Sequence, residues 1–304
     1  MRKSRLISML LVFVMMFSML AACNPTTPNG DDPNDDPPVT TIVAEEVIAA
    51  KVEEFLTTIP DNNYMIRPAD ALDLNDENPD AVFWVDMRSA EDYENGHIVN
   101  AVNIPYAETG EYLEVLPANK QIIFQCYSGQ TSAQVAALAN VLGFNAVSFQ
   151  GGMNFGWAPL ELGDDSLETT ENALPEAKDP DLSEEEQVLW DAVKGYFGEG
   201  NYIIAPNALY ELVEENPDAI MVLDIRATDH FEEGHIETSI NIPFKEVGDN
   251  LDQLPNNKPV YVVCYSGQTA GITMAPLRLM DINAISLNRG MTGWNGAELP
   301  VVTE

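Results

Sequence analysis

Two cysteines in nearly identical surroundings are the residues of this 304-residue sequence best suited to chemistry. Their loops read Cys126-Tyr127-Ser128-Gly129-Gln130-Thr131 and Cys264-Tyr265-Ser266-Gly267-Gln268-Thr269. Each cysteine ends a short apolar run typical of a strand, and a segment with helical character follows each loop. Backbone N–H groups in such a turn, together with the dipole of a helix N-terminus, favour an anion. The pattern therefore predicts two nucleophilic thiolates.

The two cysteine loops belong to a repeat that extends over a whole domain. The shift that carries Cys126 onto Cys264 also aligns other segments: 77–81 with 215–219, Asp86 and Arg88 with Asp224 and Arg226, 96–98 with 234–236, and 103–105 with 241–243. A period of this length indicates a duplicated domain rather than a solenoid. We call residues 44–162 the first copy and residues 183–304 the second copy, and we expect residues 163–182 to be a linker.

Within each copy, apolar runs alternate with helical segments, and this order predicts an α/β fold. In the first copy the runs cover residues 82–86, 121–125 and 146–149, and they lack the polar alternation of a sheet exposed on one face. Each copy is therefore expected to hold a parallel sheet flanked by helices. Function in such sheets gathers at the carboxyl ends of the strands, where Asp86, Arg88 and Cys126 lie.

The motifs taken together resemble the rhodanese family. They are Cys-x-x-Gly-x-Thr followed by Ser or Ala, an upstream Asp-x-Arg, a Gly-His-Ile and an Asn-Ile-Pro, and they extend over both copies. The resemblance implies two tandem rhodanese-like domains and sulfurtransferase activity without a cofactor. It implies that Cys126 and Cys264 take sulfane sulfur from a small donor such as thiosulfate, mercaptopyruvate or polysulfide. Each cysteine would hold the sulfur as a persulfide, with the loop residues around the donor, and pass it to a thiol or to cyanide.

Other kinds of site fit the sequence less well. Phosphatases of the Cys-x5-Arg type need an arginine that clamps phosphate, and both cysteine loops are one residue shorter and lack it. The three histidines, His97, His230 and His235, are not at ligand spacing, so no metal site is predicted.

Two arginines, Arg88 and Arg226, follow equivalent strands of the two copies. We expect them to pair with the nearby acids Glu91 and Asp229, and substrate contact is the alternative. For Asp86 and Asp224 we expect a role in bracing the loops. For His97 and His235 we expect turn stabilisation rather than general base catalysis.

A further arginine distinguishes the two copies. Gln150-Gly151-Gly152 corresponds to Asn288-Arg289-Gly290, so only the second copy has a cation in this glycine segment. Neither cysteine loop contains Lys or Arg, so Arg289 is the best candidate for binding the negative charge of a donor. The helix after Cys264 contains Gly271 and Pro276, and we expect both to weaken it.

The N-terminus has the features of an export signal. Arg2, Lys3 and Arg5 precede an apolar run at 6–20, and Leu20-Ala21-Ala22-Cys23 resembles the lipobox of bacterial lipoproteins. Residues 1–22 are then a signal peptide, and Cys23 is a lipidation site that anchors the chain outside the cytoplasm. An uncleaved signal anchor is the alternative. Residues 23–43 are expected to be a disordered acidic spacer rich in proline.

The composition limits the partners. A formal net charge of −35 excludes nucleic acid as a partner, because such a surface repels phosphate. We expect a monomer whose partners are a small sulfur donor, a thiol acceptor and the membrane that holds its lipid.

Two other functions remain open for the cysteines. One is a rhodanese-like module without turnover that acts as a sensor or binding domain at the cell surface. The other is an oxidoreductase that cycles Cys126 and Cys264 between thiols and a disulfide. Inert buried thiols or a structural disulfide are the non-functional alternatives.

Overall fold

The computed structural model describes residues 42–162, 167–198 and 200–303. The expected signal peptide, the lipidation site Cys23 and nearly all of the expected spacer lie outside these residues. Among the helices that are described, none has the length and apolar character needed to cross a membrane.

The first copy alternates strands and helices as expected. Its elements are α1 (Ala44–Thr57), β1 (Met65–Ile66), α2 (Pro68–Glu77), β2 (Val82–Asp86), α3 (Ala90–Glu94), β3 (His97–Ile98), β4 (Val102–Asn103), β5 (Gln121–Gln125), α4 (Gln130–Val141) and β6 (Ala146–Phe149), with a π-helical segment at Gly152–Trp157. Strand β7 (Leu167–Glu168) follows within the expected linker and pairs antiparallel with β3.

The second copy repeats this order. Its elements are α5 (Glu184–Tyr196), β8 (Ile203–Ile204), α6 (Pro206–Glu215), β9 (Met221–Asp224), α7 (Thr228–Glu233), β10 (Ile240–Asn241), β11 (Val260–Val263), α8 (Gln268–Leu279), β12 (Ala284–Leu287) and α9 (Gly290–Gly296). Ser183 and Glu186 form a capping box at the start of α5, since each side chain accepts a hydrogen bond from the other residue's backbone N–H.

Each copy contains a five-stranded parallel sheet. The strand orders are β1-β6-β5-β2-β4 and β10-β9-β11-β12-β8, which are the same topology read from opposite edges. The central strands are buried on both faces because helices cover both, so their apolar runs do not alternate with polar residues. The expected fold class, two α/β domains with parallel sheets flanked by helices, is confirmed.

The hydrophobic core has three parts. One buried cluster in each copy lies on the outer face of its own sheet. A third and larger cluster contains residues of both copies, among them Leu56 of α1, Ala137 of α4, Val193 of α5 and Ala275 of α8. The two sheets therefore share one continuous inner core, to which both copies contribute buried side chains.

The first helix of each copy packs on the other copy. Helix α1 contacts the 3₁₀ segment Gly248–Gln253 of the second copy, and α5 contacts the 3₁₀ segment Tyr106–Glu111 of the first, in which Gly110 is the equivalent of Gly248. A glycine allows each approach: a Cβ on Gly248 would lie 2.7 Å from the backbone nitrogen of Thr57, and one on Gly110 would lie 2.9 Å from the carbonyl oxygen of Lys194. The two helices are thus exchanged between the copies.

The helices that follow the two cysteines, α4 and α8, pack against each other at the centre of the molecule. Helix α8 continues through Pro276 and has 12 residues, as α4 does. Pro276 therefore does not shorten the second helix. Gly271 lies at the contact itself, where a Cβ would approach the carbonyl oxygen of Gln130 to 2.7 Å. This glycine is explained by close packing between the copies.

Candidate active site

Each cysteine sulfur lies at the N-terminus of its long helix and accepts backbone hydrogen bonds. The Sγ of Cys126 accepts from the N–H of Gly129 at 3.2 Å and of Ser132 at 3.5 Å. The Sγ of Cys264 accepts from the N–H of Gly267 at 3.1 Å and of Ala270 at 3.3 Å. These donors, with the helix dipole, stabilise negative charge on sulfur.

The loops close tightly around the two cysteines. Gly129 and Gly267 have φ of 84° and 90°, in the left-handed region that glycine adopts without strain. Both cysteines are free thiols and almost fully buried, at 2% and 1% exposure. A buried thiolate needs hydrogen-bond donors, because an unpaired charge is costly away from water.

A second segment fixes each loop from behind. The N–H of Met153 donates to the carbonyl of Cys126 at 2.9 Å, and that of Met291 donates to the carbonyl of Cys264 at 2.8 Å. These bonds place the glycine segments 150–152 and 288–290 beside the cysteine loops.

One side chain of each cysteine loop reaches into the other copy. Gln130 Nε2 donates to Ser286 Oγ at 2.9 Å, and Gln268 Nε2 donates to Ser148 Oγ at 2.7 Å. The two amide oxygens accept from the backbone N–H of Arg289 and Gly151 at 3.1 and 3.2 Å. The cysteine loops are therefore braced reciprocally, and Gln130 and Gln268 serve the interface rather than the open mouth of each site.

The other predicted loop residues lie around the mouths. Ser128, Thr131 and Thr269 are half-buried, and Ser266 is exposed. Together with the exposed tyrosines they are the side chains of the two loops that reach solvent.

The loop tyrosines have different partners in the two copies. The hydroxyl of Tyr127 donates to the carboxylate of Asp92, whereas the hydroxyl of Tyr265 lies 2.6 Å from Nδ1 of His230. Hydrogen bonds from Tyr127 and then from Ser89 hold the pKa of Asp92 below its usual value, so this carboxylate stays charged in mild acid. Since Asp92 and His230 are equivalent in the repeat, the first mouth is acidic and the second holds an imidazole.

The expected pairing of Arg88 with Glu91 and of Arg226 with Asp229 is wrong. The guanidinium of Arg88 binds the carboxylate of Asp86, with Nη2 and Oδ2 2.6 Å apart, and donates to the carbonyl of Gly96. Arg226 makes the equivalent contacts to Asp224 and Gly234. These four paired side chains are buried, so they brace the strand ends. Each guanidinium is already bound to a carboxylate and a carbonyl, which does not favour substrate contact by either arginine.

The histidines of the Gly-His-Ile motif also have structural positions. Both rings are buried, and each Nδ1 is bonded to a backbone carbonyl, that of Tyr93 for His97 at 2.8 Å and that of Phe231 for His235 at 2.9 Å. This supports turn stabilisation. No cluster of metal-ligating side chains occurs within the described ranges.

Arg289 lies between the two copies. Its backbone belongs to the glycine segment beside Cys264, yet its guanidinium lies over the ring of Phe155 in the first copy, 4.4 Å from the ring centroid. Phe155 belongs to the π-helical segment that fixes the loop of Cys126. The cation predicted for the second site thus contacts a side chain of the first copy, and its equivalent in the repeat is Gly151.

Two functional candidates were missed from the sequence. Ser132 Oγ lies 3.4 Å from the Sγ of Cys126, and Ser148 Oγ lies 2.9 Å from Ser132 Oγ. The signal was present in the repeat, because Ser132 corresponds to Ala270 in an otherwise shared motif.

Known proteins resemble parts of the chain. The chain is 25% identical over 83 residues to the putative sulfur carrier protein YrkF of Bacillus subtilis strain 168, a match that covers 27% of this chain and 45% of that relative's length. It is 31% identical over 75 residues to the thiosulfate sulfurtransferase PspE of Escherichia coli K12, covering 24% of this chain and 72% of that protein. The crystal structure of the 3-mercaptopyruvate sulfotransferase SseA from Escherichia coli is 22% identical, with a TM-score of 0.34, and the match covers 75% of this chain and 98% of that one.

The family model for the rhodanese-like domain matches residues 68–158 and 205–297, which together are more than half of the chain. Each match contains one cysteine loop and one Asp-x-Arg motif. Sulfurtransferases among the relatives support a sulfur-transfer role at the level of the family. The chain therefore belongs to the rhodanese-like family and carries two of its domains in tandem.

Proposed function

We propose that the protein is a sulfurtransferase that carries sulfane sulfur as a persulfide on Cys126 and on Cys264. The observation that carries the proposal is the convergence of two backbone N–H groups on each buried sulfur at the start of a helix. This arrangement stabilises a thiolate, which is the form of cysteine that attacks sulfur.

The reaction has two steps that balance without an external oxidant. The cysteine thiolate attacks the outer sulfur of a donor such as thiosulfate, the donor's S–S bond breaks, and sulfite leaves with the electron pair. An acceptor thiolate or cyanide then attacks the outer sulfur of the persulfide. The bond to the cysteine sulfur breaks, and the thiolate returns.

For the donor we propose a small molecule, thiosulfate, mercaptopyruvate or polysulfide, and for the acceptor a thiol or cyanide. The name of one relative, a thiosulfate sulfurtransferase, supports this class of donor. The burial of both sulfurs supports it too, because a small molecule reaches a buried sulfur more readily than a large one does.

The experiment is intact-mass measurement after exposure of the protein to each donor, followed by cyanide. We expect each cysteine to gain the mass of one sulfur and to lose it to cyanide. Cys126→Ser and Cys264→Ser should each retain transfer, and the double variant should lose it. Transfer that persists in the double variant would overturn the mechanism, and a loss of two hydrogens on oxidation would favour the oxidoreductase.

We also propose that Cys23 carries the lipid that holds the protein at the extracytoplasmic face of the cell membrane. Support comes from the sequence, in which a basic start, an apolar run and a lipobox-like segment occur in order.

A further inference from the structure

A chain of side-chain hydrogen bonds reaches Cys126 from the cysteine loop of the other copy. Gln268 Nε2 donates to Ser148 Oγ at 2.7 Å, Ser148 Oγ lies 2.9 Å from Ser132 Oγ, and Ser132 Oγ lies 3.4 Å from Cys126 Sγ. All four side chains are buried. The chain therefore operates away from water, where hydrogen bonds to an ion are strong.

The direction of this chain follows from which atoms can donate. An amide nitrogen only donates, so Ser148 accepts from Gln268 and keeps its own proton for Ser132 or for the carbonyl of Gly129, 3.2 Å away. The Ser132 hydroxyl has the same choice between Gly129, at 3.1 Å, and the sulfur. When Cys126 is a thiolate, both hydroxyls can donate towards it in sequence.

The second copy has the start of the same chain but not its end. Gln130 Nε2 donates to Ser286 Oγ at 2.9 Å, as Gln268 does to Ser148. Ala270 occupies the position of Ser132 and has no hydroxyl. Cys264 therefore keeps its two backbone donors and lacks the hydroxyl that lies beside the Cys126 sulfur.

We infer that Ser132 is a further catalytic residue, which donates a hydrogen bond to the Cys126 sulfur and makes Cys126 the faster of the two cysteines in releasing sulfur. This inference rests on the proposed persulfide mechanism. Ser148 and Gln268 are positioning residues for the Ser132 hydroxyl.

A hydrogen bond from Ser132 has opposite effects on the two steps of sulfur transfer. During release, the acceptor attacks the outer sulfur, the bond to Cys126 Sγ breaks, and the electron pair stays on Sγ, where the Ser132 hydroxyl stabilises it. During loading, the same stabilisation makes the attacking thiolate less nucleophilic. Ser132 thus favours release over loading, and Cys264 has the opposite bias.

The first test measures the thiolates without any sulfur transfer. Ser132→Ala is made in a Cys264→Ser background, and Ala270→Ser in a Cys126→Ser background. Each protein then has only one of the two loop cysteines available for alkylation. The rate of alkylation by iodoacetamide is followed against pH. Loss of one hydrogen bond to an ion should move the midpoint of the Cys126 profile up by about one pH unit, and gain of one should move that of Cys264 down by about the same amount.

Matched serine variants test the positioning role. Ser148→Ala should move the Cys126 profile in the same direction as Ser132→Ala, by a smaller amount. Ser286→Ala should leave the Cys264 profile unchanged, since no hydroxyl connects Ser286 to that sulfur. Ser132→Thr keeps the hydroxyl and should restore the original profile, which separates the hydroxyl from any effect on folding.

The second test uses single turnovers followed by quenching and intact-mass measurement. At a pH above both alkylation midpoints, where the cysteine is a thiolate in both proteins, Ser132→Ala should slow release of sulfur from Cys126 to cyanide by about tenfold and should not slow loading. An unchanged alkylation midpoint, or an equal slowing of both steps, would overturn the inference. If no donor forms a persulfide, the proposed function fails, and the alkylation profiles still decide whether Ser132 contacts the thiolate.

Discussion

Gly271 of helix α8 packs directly against the backbone carbonyl of Gln130 at the start of helix α4. A Cβ at position 271 would lie 2.7 Å from that oxygen, closer than a side-chain carbon and a carbonyl can approach. Gln130 belongs to the first cysteine loop and Gly271 follows the second, so the two sites meet at this contact.

Gly271→Ala should lower the free energy of unfolding by about 1 to 3 kcal/mol, the usual cost of overpacking. Alanine is the better helix former, but its gain of at most about 1 kcal/mol is smaller than the cost of moving a backbone carbonyl. Urea unfolding followed by circular dichroism measures the change.

Gly195→Ala is the matched control for this prediction. Gly195 lies inside helix α5, and a Cβ there would meet open space. This variant should be more stable by about 0.5 to 1 kcal/mol. If Gly271→Ala also gains stability, the two long helices do not meet at the glycine.

Exchange of Asp92 and His230 should exchange the charge preference of the two sites. Asp92→His in a Cys264→Ser background should lower KM for thiosulfate at Cys126 by about threefold at low salt, because a carboxylate at the mouth repels an anion. His230→Asp should raise KM at Cys264 in the Cys126→Ser background.

The pH dependence of the Asp92 effect follows from its lowered pKa. A carboxylate with a lowered pKa keeps its charge as the pH falls through the range where an ordinary Asp would be protonated. The KM difference between the original protein and Asp92→Asn should therefore stay constant from pH 8 down to about pH 4, where an ordinary Asp would be half protonated. A difference that disappears within this range would assign the effect to another group.

Arg289→Gln should raise KM for thiosulfate at both cysteines. The Arg289 backbone lies beside the second cysteine loop, and its guanidinium lies over Phe155, whose segment is bonded to the first loop, so we expect the cation to attract anions to both sites. Arg289 is exposed, so salt should screen an effect of about threefold to tenfold. An uncharged organic trisulfide serves as the control donor, and an equal effect on its KM would show that Arg289 shapes the site rather than attracts anions.

Gln125→Val should raise the free energy of unfolding by about 1 to 3 kcal/mol. The Gln125 side chain is fully buried at the end of β5, and its amide atoms have no hydrogen-bond partner among the described residues. An unpaired buried amide is destabilising, and the repeat places a buried valine, Val263, at the equivalent position. A loss of stability in thermal and urea unfolding would show that the amide is paired.

Cys23→Ser should release the protein from the membrane fraction. A free thiol is the lipid acceptor in the proposed anchor, and serine cannot take its place. Fractionation and intact mass measure the outcome. Retention of residues 1–22 in a membrane-bound Cys23→Ser protein would favour the signal anchor.

The sequence alone predicts the strand and the turn that position each cysteine. Cys126 and Cys264 could be located because apolar runs define the strands and a glycine marks the turn before each helix. The partner of Arg88 was mistaken because closeness in sequence does not give side-chain direction. Asp86, two residues earlier on the extended chain, points to the same side as Arg88 and binds it.

The contacts between the copies could not be predicted in this way. Gln130 meets Ser286 only after both sheets have formed and packed, and no periodicity within one copy records that meeting. From the sequence we expected Gly271 to weaken its helix. Its role in packing was not visible, because the backbone that it contacts lies in the other copy. The repeat identifies which residues of the two copies are equivalent, and the structure shows which side chains meet between the copies.

The exchanged helices make the chain equivalent to a symmetric dimer whose subunits have been joined end to end. In an isologous pair each subunit gives the partner what it receives, as α1 and α5 do here. Two separate subunits of this design would separate on dilution. Covalent joining replaces that equilibrium with a fixed effective concentration, so the pairing of the two sulfur sites does not depend on how much protein is present.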